Sequence, residues 1–323
     1  RYQMATMLAN TVKPILFVTY ELSGCVDAVR MAEVVMGGEE GLRRNPLVAC
    51  YINVVSGLSH NREALQKLMF LAAKGLPAMY IPSSTGGVTC PVTAAGAVAH
   101  DNAGVLLGLV LSQLAREGAP FIMPGMEPSP LDMRTMSTTY TDPDKGIFQA
   151  MAHFYRLPAF ALGGASHAKL FDQQAAAEAA LTLLTESLAG GNIIHDLGYL
   201  DAGLCFSFAQ LALCDQIVAW IAAFFRGVEI SPETLALDVI AQIGPEGQYL
   251  IAPHTRKHHR ERWYPDLFER DIYEAWQAKG GKSFNERAVE RVETILREHR
   301  PEPLPQDVEE RLQDIVRQAR AGE

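Results

Sequence analysis

The stretch PAFALGGASHAKLFDQQAAAEAALTLLTESLAGGNIIH, residues 158–195, reads as strand, loop, helix and strand. Its two ends, 158–163 and 192–195, are apolar runs with aromatic or β-branched side chains, each too short for a helix. Gly163 and Gly164 permit close backbone approach after the first run, and Asp172 stands just ahead of a small-residue helix over 173–189 whose Ala175 and Ala179 can pack tightly on a sheet. Working outward, the same grammar recurs. Runs at 15–20, 47–53, 77–82 and 120–125 each lead into a loop rich in Gly, Ser, Pro or Asp. Helical patterns follow over 23–36, 61–74, 91–117 and 143–155, and another over 204–225 follows the last run; Gly37, Gly75 and Gly118 mark three of the stops.

Such alternation calls for a parallel sheet covered by helices. Strand starts 30 to 43 residues apart suit a doubly wound sheet or a (β/α)8 barrel, but no glycine-rich dinucleotide fingerprint follows the early strands. The polar residues gather in the loops after the strands, which favours the (β/α)8 TIM barrel. Only six strands are counted, so two are expected ahead of Arg1, where an amphipathic segment over 3–9 begins abruptly. After Gly227 the character changes: SPETLALDVIAQIG carries Ser231 as N-cap and Pro232 at the first helical position. The expected division is a partial barrel over 1–250 and a charged helical extension over 251–323, with helices at 271–279, 285–299 and 307–319, the last of them peripheral.

The chain has 48% hydrophobic and 20% charged residues and a net charge of −9, which disfavours disorder and generic nucleic-acid binding. No uninterrupted apolar run reaches the ~18 residues of a membrane span, and no signal peptide is expected. Five scattered cysteines without a CxxC pair read as reduced thiols of a cytoplasmic protein.

In a barrel the site lies at the C-terminal ends of the strands. That names Tyr20, Glu21, Asn53, residues 83–85 with Ser83, residues 123–127, Ser166, His167, His195, Asp196 and Tyr199. His195 suits a general acid or base, a donor to a carboxylate or a metal ligand, against the plainer reading of a ring satisfied by a loop carbonyl. Glu21 suits acid–base work or capping of the next helix, and Asn53 suits substrate orientation or closure of its own turn. SSTGGVTCP, 83–91, reads equally as an anion-binding nest or a βα loop. PHTRKHHRERW, 253–263, spaces His254, His258 and His259 compatibly with a metal, but with no cysteine or carboxylate partner nearby it reads as a solvated face, and no metal site is expected.

The blocks NPLVACYIN, PVTAAGAVAHDNAGVLLGLVLSQL, LDMRT, GGASHAKLFDQQAAAEAA, GGNIIHDLGYLDAG, ISPETLALDVIAQIGPEGQYL and PHTRKH resemble the trimethylamine:corrinoid methyltransferase family, including its glycine betaine branch, over residues 4–299. The resemblance implies a (β/α)8 barrel that moves a methyl group from a methylated amine to the Co(I) of a separate corrinoid protein. Co(I) is the nucleophile, so the barrel has to hold and orient a cation rather than activate a serine or cysteine. Tyr20, Tyr51, Tyr140 and Tyr199, with the nearby carboxylates Glu21 and Asp196, are the supply for that. Catalytic positions are then expected at His195, Glu21 and Asn53, and further substrate contacts at Ser83 and Ser166.

Relatives acting on trimethylamine carry pyrrolysine, whereas this chain shows only the twenty standard residues, which points to a quaternary amine such as glycine betaine. Corrinoid carriers use Asp-x-His-x-x-Gly, and here Ile193 stands where the aspartate belongs before His195, so no cofactor is expected on this chain and the corrinoid (cobalamin) is expected on the partner. The rival expectations are a barrel lyase or isomerase using His195 and Glu21, and a non-catalytic amine-binding barrel. Unpaired strands would favour a homo-oligomer.

Overall fold

Residues 1–125, 129–144 and 146–321 are described by the structure, a computed structural model. Its central sheet has six parallel strands, β1 (Ile15–Phe17), β2 (Val48–Val54), β3 (Ala78–Pro82), β4 (Phe121–Pro124), β5 (Ala159–Leu162) and β6 (Ile193–His195). Each lies within or close to one of the apolar runs. They pair in chain order without reversal. A doubly wound sheet reverses once at its switch point, and this one does not.

The sheet is strongly curled. Tyr51 on β2 approaches Phe160 on β5 to 5.6 Å and His195 on β6 to 6.0 Å between ring centroids. On a flat sheet β2 and β6 would stand about 19 Å apart, four strand spacings of ~4.8 Å. The concave face carries Ala49, Met79, Ile81, Ile122 and Phe160, with Leu16, Tyr51 and Ile193 packed against them. Alternate residues of the same strands, such as Cys50, Ile52, Tyr80, Phe121 and Met123, face the helices in the main core. β1 and β6 have no second partner among the described residues, so the sheet is an arc with two open edges.

Eight helices accompany the strands: α1 (Tyr2–Asn10), α2 (Leu22–Val35), α3 (Glu39–Arg44), α4 (Arg62–Lys74), α5 (Ala94–Ala115), α6 (Gln149–Tyr155), α7 (Gln173–Leu188) and α8 (Phe208–Phe225). Asp172 caps α7 by accepting from the backbone N–H of Gln174 (3.0 Å) and Ala175 (3.2 Å). Gly104 lets α5 press its backbone on that of Gly57 in the loop after β2, where a Cβ would collide. α5 and α8 are long and apolar enough to cross a membrane by length and composition. Here they serve as packing helices, α5 against α4 and β3, α8 between α7 and the C-terminal helices.

Six more helices follow: α9 (Pro232–Leu235), α10 (Leu237–Ile243), α11 (Pro253–His258), α12 (Tyr273–Ala278), α13 (Phe284–Glu298) and α14 (Gln306–Ala321). The last is not peripheral, contrary to the expectation from sequence. Its Leu312, Ile315 and Val316 enter the main core, and it lies on α1 and α2. α13 lies on α8. Two helix starts also differ. Residues 143, 144 and 146–148 form turns before α6, with Gly146 at φ 91, and a short antiparallel pair, Tyr199–Leu200 with Cys205–Phe206, precedes α8.

Candidate active site

The end of β6 turns sharply because Asp196 adopts φ 74, a conformation unusual for a residue with a side chain. That turn sets the Asp196 carboxylate beside the preceding ring, with Oδ1 2.6 Å from His195 Nδ1. A carboxylate only accepts, so Nδ1 carries a proton. The imidazole lies flat on Phe160, centroids 4.2 Å apart at 4°, with Tyr51 edge-on to both rings. The His195 and Asp196 side chains are 19% and 21% exposed, so the pair is sheltered yet open to a small molecule.

Two tyrosines share this neighbourhood. Burial, then the charge of Asp196, then Tyr140 push the Tyr51 hydroxyl well above its ordinary pKa. Burial and Asp196 act the same way on Tyr140. Both hydroxyls therefore stay protonated at neutral pH. Tyr140 is placed by its backbone N–H, which donates to His167 Nε2 at 2.7 Å, and the two rings meet edge-on at 6.4 Å. As His167 Nε2 accepts, the proton of the neutral ring sits on Nδ1.

Asn53 and Ser83, at the ends of β2 and β3, meet through Ser83 Oγ and Asn53 Oδ1 at 3.2 Å. Beneath them Ser84 Oγ accepts from the Gly57 N–H (3.3 Å) and donates to Asp101 Oδ1 (2.5 Å), which also accepts from His100 Nδ1 (2.8 Å). This buried relay ties both strand-end loops to α5. Burial raises the Asp101 pKa, against the lowering pull of Ser84 and His100.

Other sequence candidates land elsewhere. The Ser166 hydroxyl is fully buried, donating to Glu178 Oε2 (2.6 Å) and accepting from the Ala168 N–H (2.9 Å). It builds its loop and is not presented to a ligand. Tyr20 is 98% exposed on the rim, its carbonyl and that of Thr19 taken by the buried Lys67 ammonium from α4. Glu21 is the exposed N-cap residue of α2 and makes no side-chain cap bond. Tyr199 packs edge-on to Phe206 at 5.6 Å. The loop over 83–91 is not an open nest: the N–H groups of Val88, Thr89 and Cys90 all turn onto the Thr85 carbonyl. Met126 and Glu127, within the candidate stretch 123–127, lie outside the described residues.

Sequence reasoning did not single out Phe160, Asp101, His100 and Glu178. Asp101 left a signal, the one carboxylate in the long, mostly apolar run 94–115. Phe160 left one too, since its strand parity puts it opposite Ile193 and on the same face as His195.

The comparisons with known proteins agree with one another. A family model described as trimethylamine methyltransferase (MTTB) matches residues 2–322. Among curated proteins, trimethylamine methyltransferase MttB of Desulfitobacterium hafniense is 35% identical over 292 residues, covering 89% of this chain and 59% of its own length. Glycine betaine methyltransferase of Desulfitobacterium hafniense is 30% identical over 298 residues (90% and 62%), and trimethylamine methyltransferase MttB of Methanosarcina barkeri is 32% identical over 287 residues (88% and 58%). The chain thus spans 58 to 62% of the length of these relatives. With the match running through both the sheet and the C-terminal helices, the chain belongs to the trimethylamine methyltransferase family.

Proposed function

We propose that this chain is the larger part of a (β/α)8 barrel that takes a methyl group from a methylated amine, a quaternary one such as glycine betaine, and passes it to the Co(I) of a separate corrinoid protein. The observation that carries the reading is the grouping of Tyr51 on β2, Tyr140 from the connection after β4, and His195 and Asp196 at the end of β6. Two further strands between the open edges of β6 and β1 would complete the barrel, with residues 1–250 as its body and 251–323 as an extension packed back on it.

The division of labour follows from the chemistry of a cation. Aromatic faces with one sheltered carboxylate hold a quaternary ammonium, each aromatic contact contributing about 0.5–2 kcal/mol. Tyr51 and Tyr140 supply the faces and Asp196 the charge. Asn53 and Ser83, held over the Asp101 relay, and the His195 ring orient the polar end of the substrate, such as a betaine carboxylate. The corrinoid, when its carrier is docked, supplies the Co(I) nucleophile. As the N–C bond breaks, its electron pair stays on nitrogen and the substrate loses its positive charge. The same residues then hold a neutral tertiary amine less tightly, which favours release. The His195 ring, paired to Asp196 and lying on Phe160, faces the concavity, consistent with a substrate role.

The test follows loss of cob(I)alamin absorbance when glycine betaine, other quaternary amines and trimethylamine are added in turn to the purified protein. Methyl transfer with a quaternary amine, weakened at least tenfold by Asp196→Asn, is the expected result. No transfer with any methylated amine would count against it.

A further inference from the structure

Residues 228–258 bury little apolar surface: α9, α10 and α11 bury no residue, and only Ala252, just ahead of α11, is buried. What gathers them is a polar cluster. His254 and His258, one helical turn apart on α11, bring their rings to 4.4 Å, and Glu233 reaches them from α9. One ligand atom from each of the three lies within 4.8 Å of the other two.

His258 has a carboxylate at both ring nitrogens. Nδ1 lies 2.8 and 2.9 Å from the Glu261 oxygens, and Nε2 lies 3.0 Å from Glu233 Oε1. His254 Nε2 points at the Glu233 backbone oxygen at 3.2 Å. A neutral imidazole has one N–H, so it cannot satisfy carboxylates on both sides; a proton or a metal ion has to occupy the Nε2 side. Lys257 Nζ, 2.7 Å from Glu233 Oε1, supplies part of the positive charge that the carboxylate attracts.

We propose that Glu233, His254 and His258 bind one divalent transition-metal ion of the zinc type. Two imidazole nitrogens and one carboxylate, with water in the fourth place, form a donor set that zinc accepts. Glu261 then fixes the His258 ring by taking its Nδ1 proton, the outer partner that metal-bound histidines usually have. The local sequence concealed the site because its carboxylates come from another helix and from beyond the His pair. Its carriers are already held: Ser231 and Thr234 form a capping box at α9, and Thr255 Oγ1 donates to the Tyr249 carbonyl at 2.6 Å. The site is separate from the candidate active site. Trp263 stacks on Trp220, about 20 Å along α8 from Ser207, whose N–H donates to the carbonyl of Gly198 near His195. The ion would staple α9 to α11 where hydrophobic burial does not.

The test is calorimetric titration of chelator-treated protein with Zn2+, with Co2+ absorption as the report of coordination and Mg2+ as the control. One saturable Zn2+ site per chain is expected, with a tetrahedral Co2+ spectrum. His258→Ala and the double variant His254→Ala/His258→Ala should lose it, Glu261→Gln should weaken it by about 10- to 100-fold, and Lys257→Met should tighten it by freeing the Glu233 carboxylate. Circular dichroism of the metal-free variants should match the metal-free parent. No saturable site in the parent, or one that survives the double substitution and so belongs to thiols such as Cys205, would overturn the proposal.

Discussion

Asp196 does two jobs with one residue: its positive φ ends β6, and its carboxylate holds His195 and raises the Tyr51 and Tyr140 pKa values. Replacing it with asparagine keeps the shape and removes the charge. The phenol of Tyr51 should then ionise at lower pH than in the parent, a shift readable by ultraviolet titration. Asp101 gives a second pH-dependent outcome. Its folded pKa is raised above the ordinary 3.8, so the folded state binds the proton more tightly than the unfolded chain. The stability it contributes is fully present below 3.8 and is lost as pH rises to the folded value. Asp101→Asn should therefore flatten the pH dependence of urea unfolding in that window. Strand parity made part of this scale legible: Tyr51 and Asn53, two apart on β2, had to share a face. Tyr20 lies three residues beyond the end of β1, where parity no longer governs, and Ser166 is bound to Glu178 across a loop that spacing alone does not fold.

Among the elements, α7 was legible from its run of small residues, with the capping role of Asp172 added by the structure, and the strands were legible because each is an apolar run bounded by loop residues. α14 was misread because its charges dominate its composition. Its Leu312, Ile315 and Val316, at i, i+3 and i+4, form a narrow stripe that finds α1 and α2 only in three dimensions. Leu312→Ala should cost about 2–5 kcal/mol of unfolding free energy, measured by denaturant titration, because the residue is 1% exposed. An unchanged midpoint would show that α14 docks too weakly to matter. Ser166→Ala should cost about 1–3 kcal/mol through the Glu178 carboxylate it leaves short of a donor.

At the scale of the molecule, the regular recurrence of strand and helix pointed to the parallel sheet and the polar loops after its strands to a curled one, and the contacts of Tyr51 on β2 with Phe160 and His195 are where the curl is seen. The two open edges expose backbone donors and acceptors, which recruit other strands. Purified as these 323 residues, the chain should associate increasingly with concentration, and light scattering during size-exclusion chromatography measures it. A monodisperse monomer at all concentrations would mean that the edges are shielded.

Pairing in chain order also fixes the sequence of assembly. Each strand emerging during synthesis finds its partner already in place, so the arc can grow one βα unit at a time without threading or rearrangement. The grouping of Tyr51 and His195 stands apart from that progression, because Tyr51 belongs to the second strand of the arc and His195 to the sixth. It comes into being only with the last turn of the arc, so a folding probe at the His195–Tyr51 contact would time the closing of the concave face separately from the laying down of its strands.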